Sequence, residues 1–302
     1  MKTRSARVVS SAIPKTIKSE KRSAPVKKES APRTKKMKTE AGAPGQPPPT
    51  WKDVFDKIKH YRQHHPAVVD TMGCAQLAER DKPLKQQRYQ TLVALMLSSQ
   101  TKDTVTSVVV KRLQTDLPGG LSIASILAID EHALDIMIHS VGFHTRKAGY
   151  IKQTAQILHD QYNDDIPDSI EGLTSLPGVG PKMGYLALQS AWHKNMGIGV
   201  DVHVHRISNR LGWRPEDTRL CLQSWLPKEH WNEINPILVG YGQSLCLPRG
   251  PKCQECPVND LCPSSTVKKK RAPKIKQEEP MAQELVVKRE DSVTIKNEPV
   301  EW

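Results

Sequence analysis

Apolar positions along the middle of the chain recur at the spacing of helix turns and nowhere sustain the alternation of a strand. In WKDVFDKIKHYR, Trp51, Val54, Phe55 and Ile58 stand at i, i+3, i+4 and i+7, which predicts an amphipathic helix with one buried face. TLVALMLSS, from Thr91 onward, is apolar on nearly all sides and predicts a helix enclosed by others. Tyr150, Thr154, Ile157, Leu158 and Tyr162 form a further stripe, and EHALDIMIHSVG another. Gly and Pro punctuate the short connections. The fold class that follows is all-α, with no repeat array.

The pattern stops at both ends. Residues 1–50 are rich in Lys, Ser and Pro and close on GAPGQPPPT, and residues 264–302 form a second charged tail that opens with VKKKRAPKIK. Such segments bury too little apolar surface to offset the entropy of ordering, so both are expected to be disordered. Charge follows the same division. Of the formal +13, residues 1–50 carry +10 and residues 264–302 carry +2, which leaves residues 51–263 near +1. A nucleic-acid surface on the folded part must therefore come from local arrangement and not from bulk charge.

No run approaches the roughly 18 apolar residues of a membrane span, and no signal-peptide core follows the start, so no membrane partner is expected. The first nineteen residues lack acids and contain Arg4, Ser5, Arg7, Ser10 and Ser11, a composition with a mitochondrial-transit flavour. An intracellular chain keeps its thiols free or metal-bound.

Chemistry concentrates in three places. LPGVGPKMG, residues 176–184, places Gly178 and Gly180 in a tight turn before a helix opened by Pro181, with Leu173, Leu176 and Val179 spaced to anchor the two flanking helices. The amides of such a turn suit a phosphate, although a plain helix–turn–helix packing element has the same outline. Lys182 follows in the first turn, charged where the helix begins to bury apolar side chains. VDVHVHR then reads as a helix start with Asp201 at the cap position; His203 and His205 are ordinary helix-surface histidines in this reading. Finally, Cys246, Cys253, Cys256 and Cys262 stand as C-x6-C-x2-C-x5-C, a metal-site density in which both zinc and an iron–sulfur cluster remain open. Arg249 and Lys252 protrude between these ligands, and Cys74 and Cys221 lie outside the set as structural thiols.

Together, LPGVGPK, VDVHVHRISNRLGW at 200–213, the four-cysteine loop and LSSQTKD at 97–103 resemble the endonuclease III family of DNA glycosylase/lyases, over roughly Trp51 to Pro263. The resemblance implies a two-lobed helix-hairpin-helix fold, with one lobe from 51–80 plus 196–263 and a helical bundle from 81–195. It implies a [4Fe–4S] cluster on the four cysteines, Lys182 as the nucleophile and Asp201 as the catalytic carboxylate. The hairpin glycines Gly178 and Gly180 would meet DNA backbone. Gln100 would fill the gap left by an extruded nucleotide, with Phe143 as a second wedge. The expected partner is duplex DNA with oxidised pyrimidines or abasic sites. Two positions depart from the family's usual pattern: His144 replaces an aromatic or amide, and Val202 replaces a threonine. The first puts damage preference in doubt; the second sits beside the catalytic carboxylate without removing a reacting group.

The residue types suit that chemistry. A solvated lysine titrates at about 10.4 and is protonated at neutral pH, but a helix N-terminus in a dry cleft disfavours the ammonium. A free amine can attack the sugar C1′ and go on to a Schiff base, which a hydroxyl cannot. Two rivals stand beside this reading. A mismatch-adenine glycosylase shares the fold and cluster but lacks the lysine and carries an extra C-terminal domain, and a non-enzymatic DNA-binding module needs neither Lys182 nor Asp201.

The tails carry a second pattern. Apolar-Lys-x-Glu occurs around Lys18, Lys27 and Lys38, and again around Lys276, Lys288 and Lys296. It resembles the acceptor site for SUMO conjugation, which would make Lys18, Lys27, Lys276, Lys288 or Lys296 modification sites and the SUMO machinery a partner. KKMK and KKKRAPK read as nuclear-import segments. The expected location is the nucleus, with the mitochondrion as a second destination.

Overall fold

The computed structural model describes residues 45–213 and 218–267. The tail lysines Lys18, Lys27, Lys276, Lys288 and Lys296 lie outside them. Among the described residues all regular structure is helical. In order these are α1 (Trp51–His64), α2 (Val68–Met72), a 3-10 turn (Cys74–Gln76), α3 (Leu84–Ser98), α4 (Asp103–Asp116), α5 (Ile123–Ala128), α6 (Glu131–Met137) and α7 (His144–Gln161). There follow α8 (Ile170–Thr174), α9 (Pro181–Ala191), α10 (Val202–Arg210), α11 (Thr218–Trp225), a 3-10 turn (Lys228–His230) and α12 (Trp231–Ser244). The all-α expectation holds for this region.

Two apolar cores organise these helices. The first is built round α3, where every residue from Tyr89 to Leu97 is buried, as the all-round apolar TLVALMLSS requires. Helices α4, α7 and α9 pack on it. In the second, Val54, Phe55 and Ile58 of α1 meet Val204 and Ile207 of α10 and Leu238 and Tyr241 of α12. Burying each such side chain contributes about 1.5–3 kcal/mol. Trp225 sits 5.5 Å from Trp51 and 5.6 Å from Trp213, ring centre to ring centre, and ties α1 and α11 to the same core.

The stripe on α7 holds at Thr154 and Leu158, which are buried, and at Ile157 and Tyr162, which pack against the same core. It departs at Tyr150, which is 38 % exposed, and the buried face begins instead at Lys147, Ala148 and Ile151. A lysine at the head of the buried face disguises where that face begins. Tyr150 has a different use: its ring lies against the turn at Gly178, where a Cβ would come within 2.6 Å of Tyr150 Cδ2.

The two cores are bridged next to the candidate chemistry. Asn235 of α12, itself buried, donates to the Gly199 carbonyl at 2.6 Å. Gly199 in turn presses on α9: a Cβ there would sit 2.5 Å from Leu186 Cγ and 3.3 Å from the Lys182 carbonyl oxygen. Only a glycine permits this approach, and it brings the approach to α10 against the first turn of α9.

Candidate active site

The hairpin is assembled as its spacing predicts. Ser169 caps α8 by accepting from the Gly172 amide at 3.1 Å, and Leu173, Leu176 and Val179 are all buried. Gly178 has φ +76, a left-handed conformation closed to most side chains. Gly180 does not share that requirement. It caps α9 in an extended conformation, φ −97 and ψ 174, which any residue adopts. What its lack of a side chain provides is access, since a Cβ there would meet nothing within 4 Å. Pro181 occupies the first helical position, and Lys182 follows, half-buried. Among the described residues no hydrogen bond or ion pair engages the Lys182 amine.

Asp201 caps α10, accepting from the Val204 amide at 2.8 Å, so the carboxylate's direction is fixed by the helix it starts. Lys182, Asp201 and Gln100 line one groove of ≈ 1170 Å³, together with Asp103, His203 and Arg219. Asp103 Oδ2 accepts from Gln243 at 2.8 Å, and Gln243 Oε1 accepts from the Val69 amide at 3.0 Å. These bonds hold the starts of α2 and α4 to α12 beside the groove. Burial pushes the His203 imidazole below its ordinary value, against the pull of Asp201 and Asp103. His205 Nδ1 pairs with the Thr218 hydroxyl at 2.7 Å. His203 Nδ1 lies 3.1 Å from Arg206 Nη2, so both histidines have local partners. Val202 is 73 % exposed beside Asp201, where a polar residue would find ample water.

Gln100 and Phe143 come together from separate segments. Both hold left-handed backbones, φ 52 and φ 59, a strained conformation for residues other than glycine. Gln100 is exposed two residues past the end of α3, so it is not that helix's cap. Phe143 is 58 % exposed and therefore not a core aromatic. A Cβ on Gly142 would fall 2.9 Å from the Gln100 carbonyl oxygen, which places the two strained turns in direct backbone contact. A smaller hollow behind them is lined by both residues with Arg146, Lys147, Tyr150 and Gly178. Sequence reading missed Lys147 altogether. It is 6 % exposed, and burial pushes its amine down to about 8. The signal was available as a lone charge four residues before Ile151 on an apolar helix face.

The four cysteines also converge. Cys246, Cys253, Cys256 and Cys262 line a single cavity with Ile207, Tyr241 and Val258. Four cysteines round one cavity are a donor set that suits an iron–sulfur cluster. Arg210 clasps the loop, donating to Cys246 Sγ at 3.2 Å, to the Leu247 carbonyl at 2.7 Å and to the Pro248 carbonyl at 2.9 Å. Tyr241 Oη lies 2.9 Å from Cys256 Sγ. Such bonds offset thiolate charge and orient the ligands. Arg249 and Lys252 are exposed on this loop, while Cys74 and Cys221 pair with backbone oxygens elsewhere. Replacing Cys256 with serine is expected to abolish visible absorbance and bound iron, and to lower the melting temperature by more than about 5 °C. Metal analysis with a thermal melt checks both.

Comparison with known proteins follows the same geography. Residues 93–228 match the HhH-GPD superfamily of base excision DNA repair proteins, and residues 246–262 match the iron-sulfur binding domain of endonuclease III. The chain is 53 % identical over 227 residues to an endonuclease III homolog of Schizosaccharomyces pombe, covering 73 % of this chain and 64 % of that protein. To an endonuclease III-like protein 1 of Gallus gallus it is 47 % identical over 234 residues, covering 76 % of this chain and 82 % of the relative. A solved structure of a trapped endonuclease III–DNA covalent intermediate, an estranged-adenine complex, superposes with a TM-score of 0.60 at 26 % identity, over 71 % of this chain and 96 % of that one. No helix among the described residues is long and apolar enough to cross a membrane.

Proposed function

This chain belongs to the endonuclease III family of base excision DNA repair proteins, and from that premise we propose that it excises oxidised pyrimidines from duplex DNA and nicks the strand 3′ to the site. It is a DNA glycosylase with abasic-site lyase activity, and the loop from Cys246 to Cys262 holds a [4Fe–4S] cluster. The cluster's role is to staple that loop, because four thiolate ligands leave no position open to substrate.

One observation carries the finer reading: Lys182 and Asp201 line the same groove, held there by the contact of Gly199 on the first turn of α9. In the proposed reaction the Lys182 amine bonds to the deoxyribose C1′ as the C1′–base bond breaks, and the base leaves with the proton that the amine gives up. Asp201 stabilises the positive charge growing on the sugar. Ring opening gives a protonated Schiff base, which acidifies C2′. Loss of a C2′ proton then expels the 3′ phosphate, and water later releases the sugar fragment from Lys182. Gln100 and Phe143 occupy the space vacated by the extruded nucleotide, offsetting an unstacking cost of roughly a few kcal/mol. Amides at Gly178 and Gly180 and the side chains of Arg249 and Lys252 meet phosphates.

A substrate panel tests the lesion class. On matched duplexes, a ring-saturated or oxidised pyrimidine is expected to be released at least about 10²-fold faster than an oxidised purine, with a β-elimination end on the cut strand. Equal or faster release of the purine contradicts the substrate assignment. For the tails, the basic segments KKMK and KKKRAPK support nuclear import, with mitochondrial delivery supported by the acid-free opening of the chain. The repeated apolar-Lys-x-Glu pattern supports SUMO conjugation at Lys18, Lys27, Lys276, Lys288 or Lys296.

A further inference from the structure

The last four carbonyls of α3 have no partner within the helix, and each finds one nearby. Ser98 Oγ donates to Leu95 O at 2.8 Å, Ser99 Oγ to Met96 O at 3.3 Å, and the Thr101 amide to Ser98 O at 3.1 Å. The remaining one, Leu97 O, is served from α7 by Lys147 Nζ at 2.7 Å. The same amine donates to Ser99 O at 2.6 Å and reaches Thr101 Oγ1 at 3.5 Å. Its three contacts therefore bracket Gln100 on both sides. Thr101 Oγ1 also accepts from the Gly142 amide at 3.1 Å, immediately before Phe143.

From this we infer that Lys147 is a positioning residue for strand invasion: one buried cation locks the turns carrying Gln100 and Phe143 into the left-handed conformations from which they enter the DNA gap. A strained backbone persists only where its surroundings over-determine it. Here the restraint is a cation at a helix C-terminus, where the dipole favours it. The groove that Lys182 and Asp201 line has Ser99, Gln100 and Thr101 in its wall, whereas Lys147 lines the smaller hollow, so it acts through Gln100 and not on the sugar. The inference rests on the reading of Gln100 and Phe143 as the residues that fill the vacated space.

The test separates extrusion from chemistry. In Lys147→Met, single-turnover release of a paired oxidised pyrimidine is expected to fall about 10²-fold, while cleavage of a preformed abasic site, which has no base to unstack, falls less than about tenfold. The fluorescence rise of a 2-aminopurine opposite the lesion slows in step with base release. Gln100→Ala costs the parent enzyme much of that rate and costs Lys147→Met little more, because the two act as a unit. Lys147→Arg restores part of the rate. Thr101→Val removes the hydroxyl's bonds to Lys147, Ser99 and Gly142 while the cation keeps Leu97 O and Ser99 O; it gives a smaller loss in the same direction, again larger for the paired lesion than for the abasic site, and decides the matter if Lys147→Met does not fold. Equal losses on both substrates that track a lowered melting temperature, or a full additive penalty from Gln100→Ala, overturn the inference. Failure of the parent to cleave the abasic duplex points instead to the assigned reaction being wrong.

Discussion

Lys182→Gln is expected to bind damaged duplex almost as well as the parent and to lose base release and strand cleavage by at least about 10⁴-fold. The asymmetry follows from where the amine stands. It occupies the second position of α9, half-buried in the groove, and among the described residues no hydrogen bond or ion pair engages it. Removing it opens no cavity in either apolar core and breaks no cap, so the melting temperature should shift by less than about 2 °C. The hairpin amides proposed to meet phosphates are left in place. In the proposed reaction, what disappears is the group that bonds covalently with the sugar, and glutamine cannot replace it. Single-turnover assays on a lesion duplex and on an abasic duplex, paired with a binding titration, measure all three quantities. A mismatch-adenine type of enzyme, which needs no such amine, would keep its glycosylase rate; a pure binding module would show no rate to lose.

Asp201→Asn separates two functions that share one side chain. The carboxylate caps α10 through the Val204 amide at 2.8 Å, and asparagine caps a helix about as well as aspartate. Stability should therefore change by less than about 0.5 kcal/mol. Base release is expected to drop by about 10²–10⁴-fold, because the charge that balances the developing positive sugar is gone. Cleavage of a preformed abasic site should drop less, since its aldehyde reaches the Schiff base without heterolysis of a glycosidic bond. Asp201→Ala adds loss of the cap, at a cost of about 1 kcal/mol, and its additional effect measures the structural share. Equal activity in Asp201→Asn and the parent would reduce Asp201 to a cap.

The parts of this arrangement that could be read from the sequence are those carried by short-range spacing. Val54, Phe55 and Ile58 announce the buried face of α1 because one turn repeats the same chemistry. The cysteine spacing announces a metal loop, and Leu173, Leu176 and Val179 announce the hairpin. Gly178 and Gly180 look alike in sequence, yet only Gly178 needs a left-handed backbone. Gly178 also lies against the Tyr150 ring, a contact between distant segments that leaves no room for a Cβ, whereas Gly180 has open space. The start of the buried face of α7 is hidden in the sequence for a related reason. Its first member is Lys147, whose charge is accommodated only by carbonyls some fifty residues earlier in the chain, at Leu97 and Ser99. That Lys182 and Asp201 line one groove likewise rests on Gly199 meeting Leu186, a fit that no local pattern encodes.

The most direct measurement is borohydride trapping on a duplex with a single oxidised pyrimidine, followed by digestion and peptide mass analysis of the adduct. The reduced sugar fragment is expected on the peptide that contains Lys182, with no adduct from Lys182→Gln. An adduct on any other lysine, or undiminished trapping by Lys182→Gln, would contradict the account.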